Sequence, residues 1–144
     1  MKHALLAAIL SATSFCALAQ STPVGLWRSF DDKTGEPKAE VRITDSAGVL
    51  SGKIEKRLLP GVKPEDLCTE CTDDRKDKPK LGLEVIRGAK KSPDAEVWVD
   101  GKILDPENGK SYNLKMTPIE GGKKMEVRGS FGPFGRTQTW QRLQ

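Results

Sequence analysis

Two cysteines three positions apart, Cys68 and Cys71, carry the sharpest chemical signal in the chain. In an oxidising compartment a close pair most simply forms a disulfide. In so short a loop the chain-entropy contribution is only about 2 kcal/mol, so the bond would pin its own loop more than hold a fold together. A redox-active pair and a pair of metal ligands stay open as alternatives. Glu65, Asp66, Glu70, Asp73 and Asp74 crowd the cysteines, and acidic neighbours disfavour the thiolate that redox chemistry needs. A metal would require two further ligands, and only carboxylates such as Asp73 or Asp74 are at hand.

Histidine chemistry is missing. The only histidine is His3, which lies in a segment with the features of a signal peptide, so the mature chain has none. Ser-His-Asp and Cys-His catalysis and histidine zinc sites drop out. Acid–base work would fall to Asp, Glu, Lys or the single Tyr112. Asp73-Asp74-Arg75-Lys76-Asp77-Lys78 reads as a solvated loop of alternating charge, with an ion-binding lid as the functional alternative. Asp105-Pro106-Glu107-Asn108 resembles a calcium loop in its oxygens, but it is too short and lacks the spaced terminal Glu. It is better read as a turn. No catalytic residue, metal site or cofactor is expected, and the protein is expected not to be an enzyme.

The aromatic residues are the other candidates. Trp27, Trp98, Tyr112, Phe131, Phe134 and Trp140 could line a small-molecule pocket or fill a core. Residues 129–135 (Gly-Ser-Phe-Gly-Pro-Phe-Gly) could form a mobile rim or a tight corner.

The elements that must position these residues are strands. In residues 97–116 two strand-like runs flank Asp105-Pro106-Glu107-Asn108-Gly109, where Pro106 pre-sets its φ and Asn108-Gly109 accepts positive φ. Tyr112, Leu114 and Met116 alternate with polar neighbours, the two-residue period of a half-buried strand. Further strands are expected at 24–30, 39–44, 49–58, 83–87, 97–104, 111–117, 124–130 and 135–143, with turns between them, including one over 88–95. The first strand has Leu26, Arg28 and Phe30 on one face, or Val24 and Trp27 near a bend at Gly25. Residues 59–82 hold three prolines and dense charge without either period, the mark of a long functional or mobile loop. About eight short strands in neighbour order predict an all-β fold, a small up-and-down antiparallel barrel. Its interior is filled by side chains or shared with one small ligand.

Residues 1–19 read as a secretory signal: Lys2, an apolar run from Ala4 to Leu10, then Ala17-Leu18-Ala19 as the cleavage site. The apolar run is too short to span a membrane. Phe15 before Cys16 argues against lipid attachment. Cleavage after Ala19 leaves residues 20–144 as a single domain. The net charge of +4 falls to +3 without Lys2. The cations are interspersed with acids rather than gathered with aromatics, which disfavours nucleic acid. No transmembrane segment is expected, and the protein is expected to be a monomer in the periplasm or secreted from a Gram-negative-type bacterium.

Several phrases carry a resemblance. They are Gly25-Leu26-Trp27; Cys68-Thr69-Glu70-Cys71; Leu81 through Gly88 (Leu-Gly-Leu-Glu-Val-Ile-Arg-Gly); Trp98 through Tyr112, including Asp105-Pro106-Glu107-Asn108-Gly109-Lys110-Ser111; and Gly135 through Arg142 (Gly-Arg-Thr-Gln-Thr-Trp-Gln-Arg). Together they resemble the bacterial exported domain of unknown function 2147, over essentially the whole mature chain. The resemblance implies a lipocalin-like or streptavidin-like barrel and no established activity. Gly25-x-Trp27 is also similar to the opening of lipocalins, where a Trp closes one barrel end under a basic residue from the last strand. Arg136 or Arg142 would fill that role here, as a cation–π contact of about 0.5–2 kcal/mol. The leading expectation is a binding module for a small apolar ligand or peptide at the end near residues 59–82. The alternatives are an envelope barrel with a filled core that meets a protein partner, and a redox or metal role for Cys68 and Cys71.

Overall fold

A computed structural model describes residues 21–144. The expected signal peptide, its cleavage after Ala19 and Cys16 lie outside the described residues. Eight strands follow one another as β1 (Gly25–Phe30), β2 (Pro37–Ser46), β3 (Val49–Arg57), β4 (Glu84–Lys91), β5 (Trp98–Asp105), β6 (Lys110–Ile119), β7 (Lys124–Phe131) and β8 (Phe134–Arg142). Each pairs antiparallel with its sequence neighbour, and β1 pairs with β8 to close a barrel. Among the described residues no helix is long and apolar enough to cross a membrane.

The alternation of side chains decides which face is inside. Ala39, Val41 and Ile43 of β2, Leu50 and Ile54 of β3, and Leu114 and Met116 of β6 are buried, while their neighbours are exposed or half-buried. Side chains of directly paired residues share a face, so the buried set forms one contiguous core. Local chemistry makes the turns. In the β5–β6 turn the Gly109 N–H donates to the Asp105 carbonyl at 2.8 Å, and the Asp105 carboxylate accepts from the Glu107 N–H at 2.9 Å. The Asp45 carboxylate accepts from the Gly48 N–H at 2.7 Å in the β2–β3 turn.

Three local expectations need correction. β4 does not stop at Arg87 to turn over 88–95; it runs on to Lys91. Gly88, at φ +74°, lies where the pairing of β4 with β3 slips register. Such a bulge bends a strand without ending it, and Ala89 beyond it is fully buried. In β1 the inward residues are Trp27 and Ser29, not Arg28 and Phe30. Leu26 is also buried, beneath the chain end that hydrogen-bonds to it: the Leu143 N–H donates to the Leu26 carbonyl at 2.7 Å. Finally, Arg75 is buried within the charge run, although Asp73, Asp74, Lys76, Asp77 and Lys78 are exposed as expected, and residues 58–83 are tied by their own hydrogen bonds.

Antiparallel order fixes the two ends of the barrel. Residues 21–24, the β2–β3, β4–β5 and β6–β7 turns and the chain end make the floor. The β1–β2, β5–β6 and β7–β8 turns and residues 58–83 surround the mouth.

Candidate functional site

The floor is built around Trp27. Its side chain is fully buried, and its indole N–H donates to the Pro23 carbonyl at 2.7 Å. The Arg142 guanidinium carbon stands 4.2 Å from the ring centre. Arg142 also donates to the carbonyls of Val24 at 2.7 Å, Gly122 at 2.5 Å, and Thr22. Burial lowers the Arg142 pKa, yet a guanidinium stays charged. Hydrogen bonds from a charged donor contribute about 1.5–3 kcal/mol each. The carbonyl contacts therefore outweigh the cation–π contact of about 0.5–2 kcal/mol. Gly25 is required here: at φ +140°, a side chain on it would run into the Gln144 carbonyl and the Arg142 guanidinium.

Arg136 does not close the floor. It lies near the other end of β8, largely exposed, and pairs with Asp32 of the β1–β2 turn at 3.1 Å. Arg142 alone occupies the closing position, because Arg142 is the residue that pairs with Trp27 across β1 and β8.

Above the floor the barrel is filled. Trp98 and Trp140, with Trp27, belong to the packed core together with Ile86, Met116 and Met125. The expected aromatic lining therefore divides. Three tryptophans are core, Tyr112 is half-buried, and Phe131 and Phe134 are 73% and 77% exposed. The phenylalanines do not line an enclosed interior. They are paired partners at the tip of the β7–β8 hairpin, beyond the reach of the core.

The register nevertheless brings the mouth residues to one face. Ile103 pairs with Tyr112, Leu114 with Gly129, Gly129 with Arg136, and Phe131 with Phe134. Leu114 and Trp140 are buried inward, so by the two-residue period Tyr112, Phe134, Arg136 and Gln138 face inward as well. Gly129 lies among them: a Cβ there would stand 3.4 Å from the Tyr112 Cβ and 3.7 Å from Ile103. The inner face of the mouth, the cup, thus carries Tyr112, Phe131, Phe134 and the Arg136 guanidinium, and none of these lines either of the open depressions beside residues 58–83. Asp32 orients the polar side of the cup. Its carboxylate accepts from Arg136 and from the Gln138 amide at 2.8 Å, and Gln138 in turn accepts from the Trp140 indole N–H at 3.0 Å.

Residues 58–83 stand on the opposite side of the mouth. Cys68 and Cys71 are buried and joined as a disulfide. The Cys68 N–H donates to the Lys78 carbonyl at 2.8 Å, and the Asp77 N–H donates to the Cys68 carbonyl at 3.0 Å. Arg75, in the charge run, is buried. It donates to the Asp73 carboxylate and to the Glu84 carbonyl at 2.8 Å. Arg75 hydrogen bonds hold the Asp73 carboxyl down to about 2. Glu107 of the β5–β6 turn latches the loop by accepting from Arg57 at 3.2 Å and Lys80 at 2.9 Å. Burial pushes the Glu107 carboxyl up, but Lys80 and Arg57 outweigh it and hold it below its ordinary value. Two open depressions of about 520 and 390 Å³ flank this loop; Leu59, Val62 and Leu67 help line one, Leu58 and Pro37 the other. Neither enters the barrel. Among the described residues no group of three or more acids and cysteines is arranged to hold a metal ion.

Asp32, Gln138 and Ile103 were not expected at the mouth, whereas Gly129 falls in the 129–135 stretch read as a rim or corner. The alternation Phe134, Arg136, Gln138, Trp140 was visible in the sequence and would have pointed to two of their neighbours. Asp32 and Ile103 carried no such signal: Asp32 reaches the cup from the β1–β2 turn through its bonds to Arg136 and Gln138, and Ile103 through its pairing with Tyr112.

A closed eight-stranded antiparallel barrel with a Trp–Arg floor is a lipocalin-like barrel. The chain belongs to the bacterial DUF2147 family, described as an uncharacterized protein conserved in bacteria, which it matches over residues 25–142. Its fold is similar to that of protein HP1028 from the human pathogen Helicobacter pylori, described as belonging to the lipocalin family. The TM-score is 0.73 at 17% identity, covering 87% of this chain and 85% of that one. No curated protein matches the chain at a significant level.

Proposed function

We propose that this is an exported, non-enzymatic binding protein whose ligand site is the cup at the barrel mouth. The observation that carries this reading is the exposure of Phe131 and Phe134, at the top of a hairpin whose lowest inward residues, Met125, Val127 and Trp140, are buried. Each phenylalanine offers roughly 150–250 Å² of apolar surface, and uncovered apolar surface beside polar groups marks a binding surface. The neighbouring Arg136 favours a ligand with an anionic group on an apolar body. The absence of histidine from the described residues and the burial of the cysteine pair support a non-enzymatic role.

The test uses 1-anilinonaphthalene-8-sulfonate, an apolar anion whose fluorescence rises on binding. The mature protein is expected to bind it with defined stoichiometry. The Phe131→Ala, Phe134→Ala double variant should lose that binding while keeping its circular dichroism spectrum. Equal binding by both proteins, or none by either, would reject the cup as a site.

The packed core below the cup favours one second reading, in which the mouth meets a protein partner in the cell envelope instead of a small molecule. Native mass spectrometry of protein taken gently from the periplasm separates the two: a retained small mass supports the first, a co-purifying protein the second.

A further inference from the structure

β1 is shorter than the strand it closes against. β7 pairs with β8 along its whole length, from Lys124 with Gln141 to Phe131 with Phe134. β1 pairs with β8 only through Trp27 with Arg142 and Arg28 with Gln141. Above Thr139, β8 therefore has one paired side and one open side. The Arg142 N–H points to the β7 side, donating to Lys123, whereas the Leu143 N–H points to β1, donating to Leu26. Backbone groups alternate sides along an antiparallel strand. Gly135, Thr137 and Thr139 therefore direct their N–H and C=O groups to the open side, and among the described residues no hydrogen bond to them crosses it. Residues 134–139 are exposed apart from the half-buried Gln138.

We propose that this edge takes an extended acidic peptide as an added strand. A row of free N–H and C=O groups at strand spacing is matched by another extended backbone. The side chains set the charge of the partner. Arg136 stands on the inner face of β8, and Arg128 lies across Gly135 on the outer face, with its guanidinium 3.4 Å from the Thr137 hydroxyl. Both faces of the edge thus present a cation. Glu126 pairs with Thr139, which confines the acid preference to the upper part. Asp32 already shows the chemistry: one carboxylate from the β1–β2 turn bridges Arg136 and Gln138, in the place a neighbouring strand's side chain would occupy. The turn supplies that carboxylate without supplying a backbone. A peptide with an acidic residue opposite Arg136 would replace Asp32 and complete the ladder. This surface shares Arg136 and Asp32 with the cup, but it takes its partner through the backbone edge of β8 and not through the inner face.

The probe is a fluorescein-labelled seven-residue peptide of alternating Thr and Val with Asp at its centre, titrated into the mature protein and read by anisotropy. Binding is expected, with the Gly135, Thr137 and Thr139 amides slowing in hydrogen exchange by about tenfold or more. Thr137→Pro should abolish it, since that N–H faces the open side and the β7 ladder is untouched. Asp32→Ala should tighten it by about threefold, the worth of an exposed ion pair. A peptide with Lys at its centre should bind about tenfold more weakly. Loss of peptide binding in Thr137→Pro with 1-anilinonaphthalene-8-sulfonate binding retained would separate the edge from the cup. No anisotropy change, unchanged binding by Thr137→Pro, or the three amides already protected in the free protein would overturn the proposal. So would a doubled mass in sedimentation without peptide, which would assign the edge to a second copy.

Discussion

The Arg142 guanidinium carbon lies 4.2 Å from the centre of the Trp27 ring, so the last strand is fastened over the first aromatic side chain of the first. The same guanidinium holds three carbonyls, of Thr22, Val24 and Gly122. This side chain reinforces a short seam, because β1 and β8 share only two paired positions, extended by the backbone bonds of Leu26 with Leu143 and Gln144.

Arg142→Met should therefore cost far more than an exposed arginine. Orphaning three carbonyls and a ring face is expected to lower stability by about 3 kcal/mol or more. Arg142→Lys should recover less than half, since an ammonium cannot reproduce the planar fork. Urea denaturation monitored by tryptophan fluorescence measures both. A loss under about 1 kcal/mol for Arg142→Met would show that the ladder closes the barrel without it.

Gly109 couples the β5–β6 turn to the cysteine loop. It sits at φ +72°, and a Cβ there would overlap the Glu70 carbonyl. Gly109→Ala should push residues 58–83 off the turn, with faster hydrogen exchange at Cys68 and Asp77. Gly48→Ala is the control: its φ is +85° but nothing lies within 4 Å. It should cost about 1 kcal/mol of backbone strain with no effect on the loop. Identical exchange in the two variants would remove the proposed docking.

Removing the disulfide should loosen the loop and spare the barrel. The Cys68→Ser, Cys71→Ser variant is expected to lose about 2 kcal/mol, with its strand circular dichroism unchanged. Global unfolding at room temperature would mean that the bond supports the whole barrel.

Acid should destabilise the protein through the loop. Asp73 is held down to about 2 by Arg75, Asp66 is lowered by the Lys63 N–H and Arg57, and Asp74 is lowered by Arg87. A carboxyl depressed on folding contributes stability above its unfolded pKa and loses it as pH falls toward its folded one. The urea midpoint should hold steady from pH 7 to about 5, then fall toward pH 2. These groups are partly or largely exposed, so each effect is small. A midpoint that rises on acidification would contradict the assigned pairs.

Much of this was legible in the sequence. Asp45, Asp105 and Gly109 name their turns by local chemistry, and Val41, Ile43, Leu114 and Met116 name the inner face by a period of two. Neighbour-order strands with short turns leave an up-and-down barrel as the simplest closure. These features are local, set by residues a few positions apart. What the tertiary structure alone decided is long-range. Arg142 rather than Arg136 meets Trp27 because the β1–β8 register places it there. Phe131 and Phe134 are uncovered because their hairpin outruns the core, although their chemistry matches that of buried phenylalanines. Arg75 is buried because the loop folds back onto Glu84. In each case the residue type is compatible with either outcome. Burial depends on what lies opposite after closure, and that partner is distant in sequence.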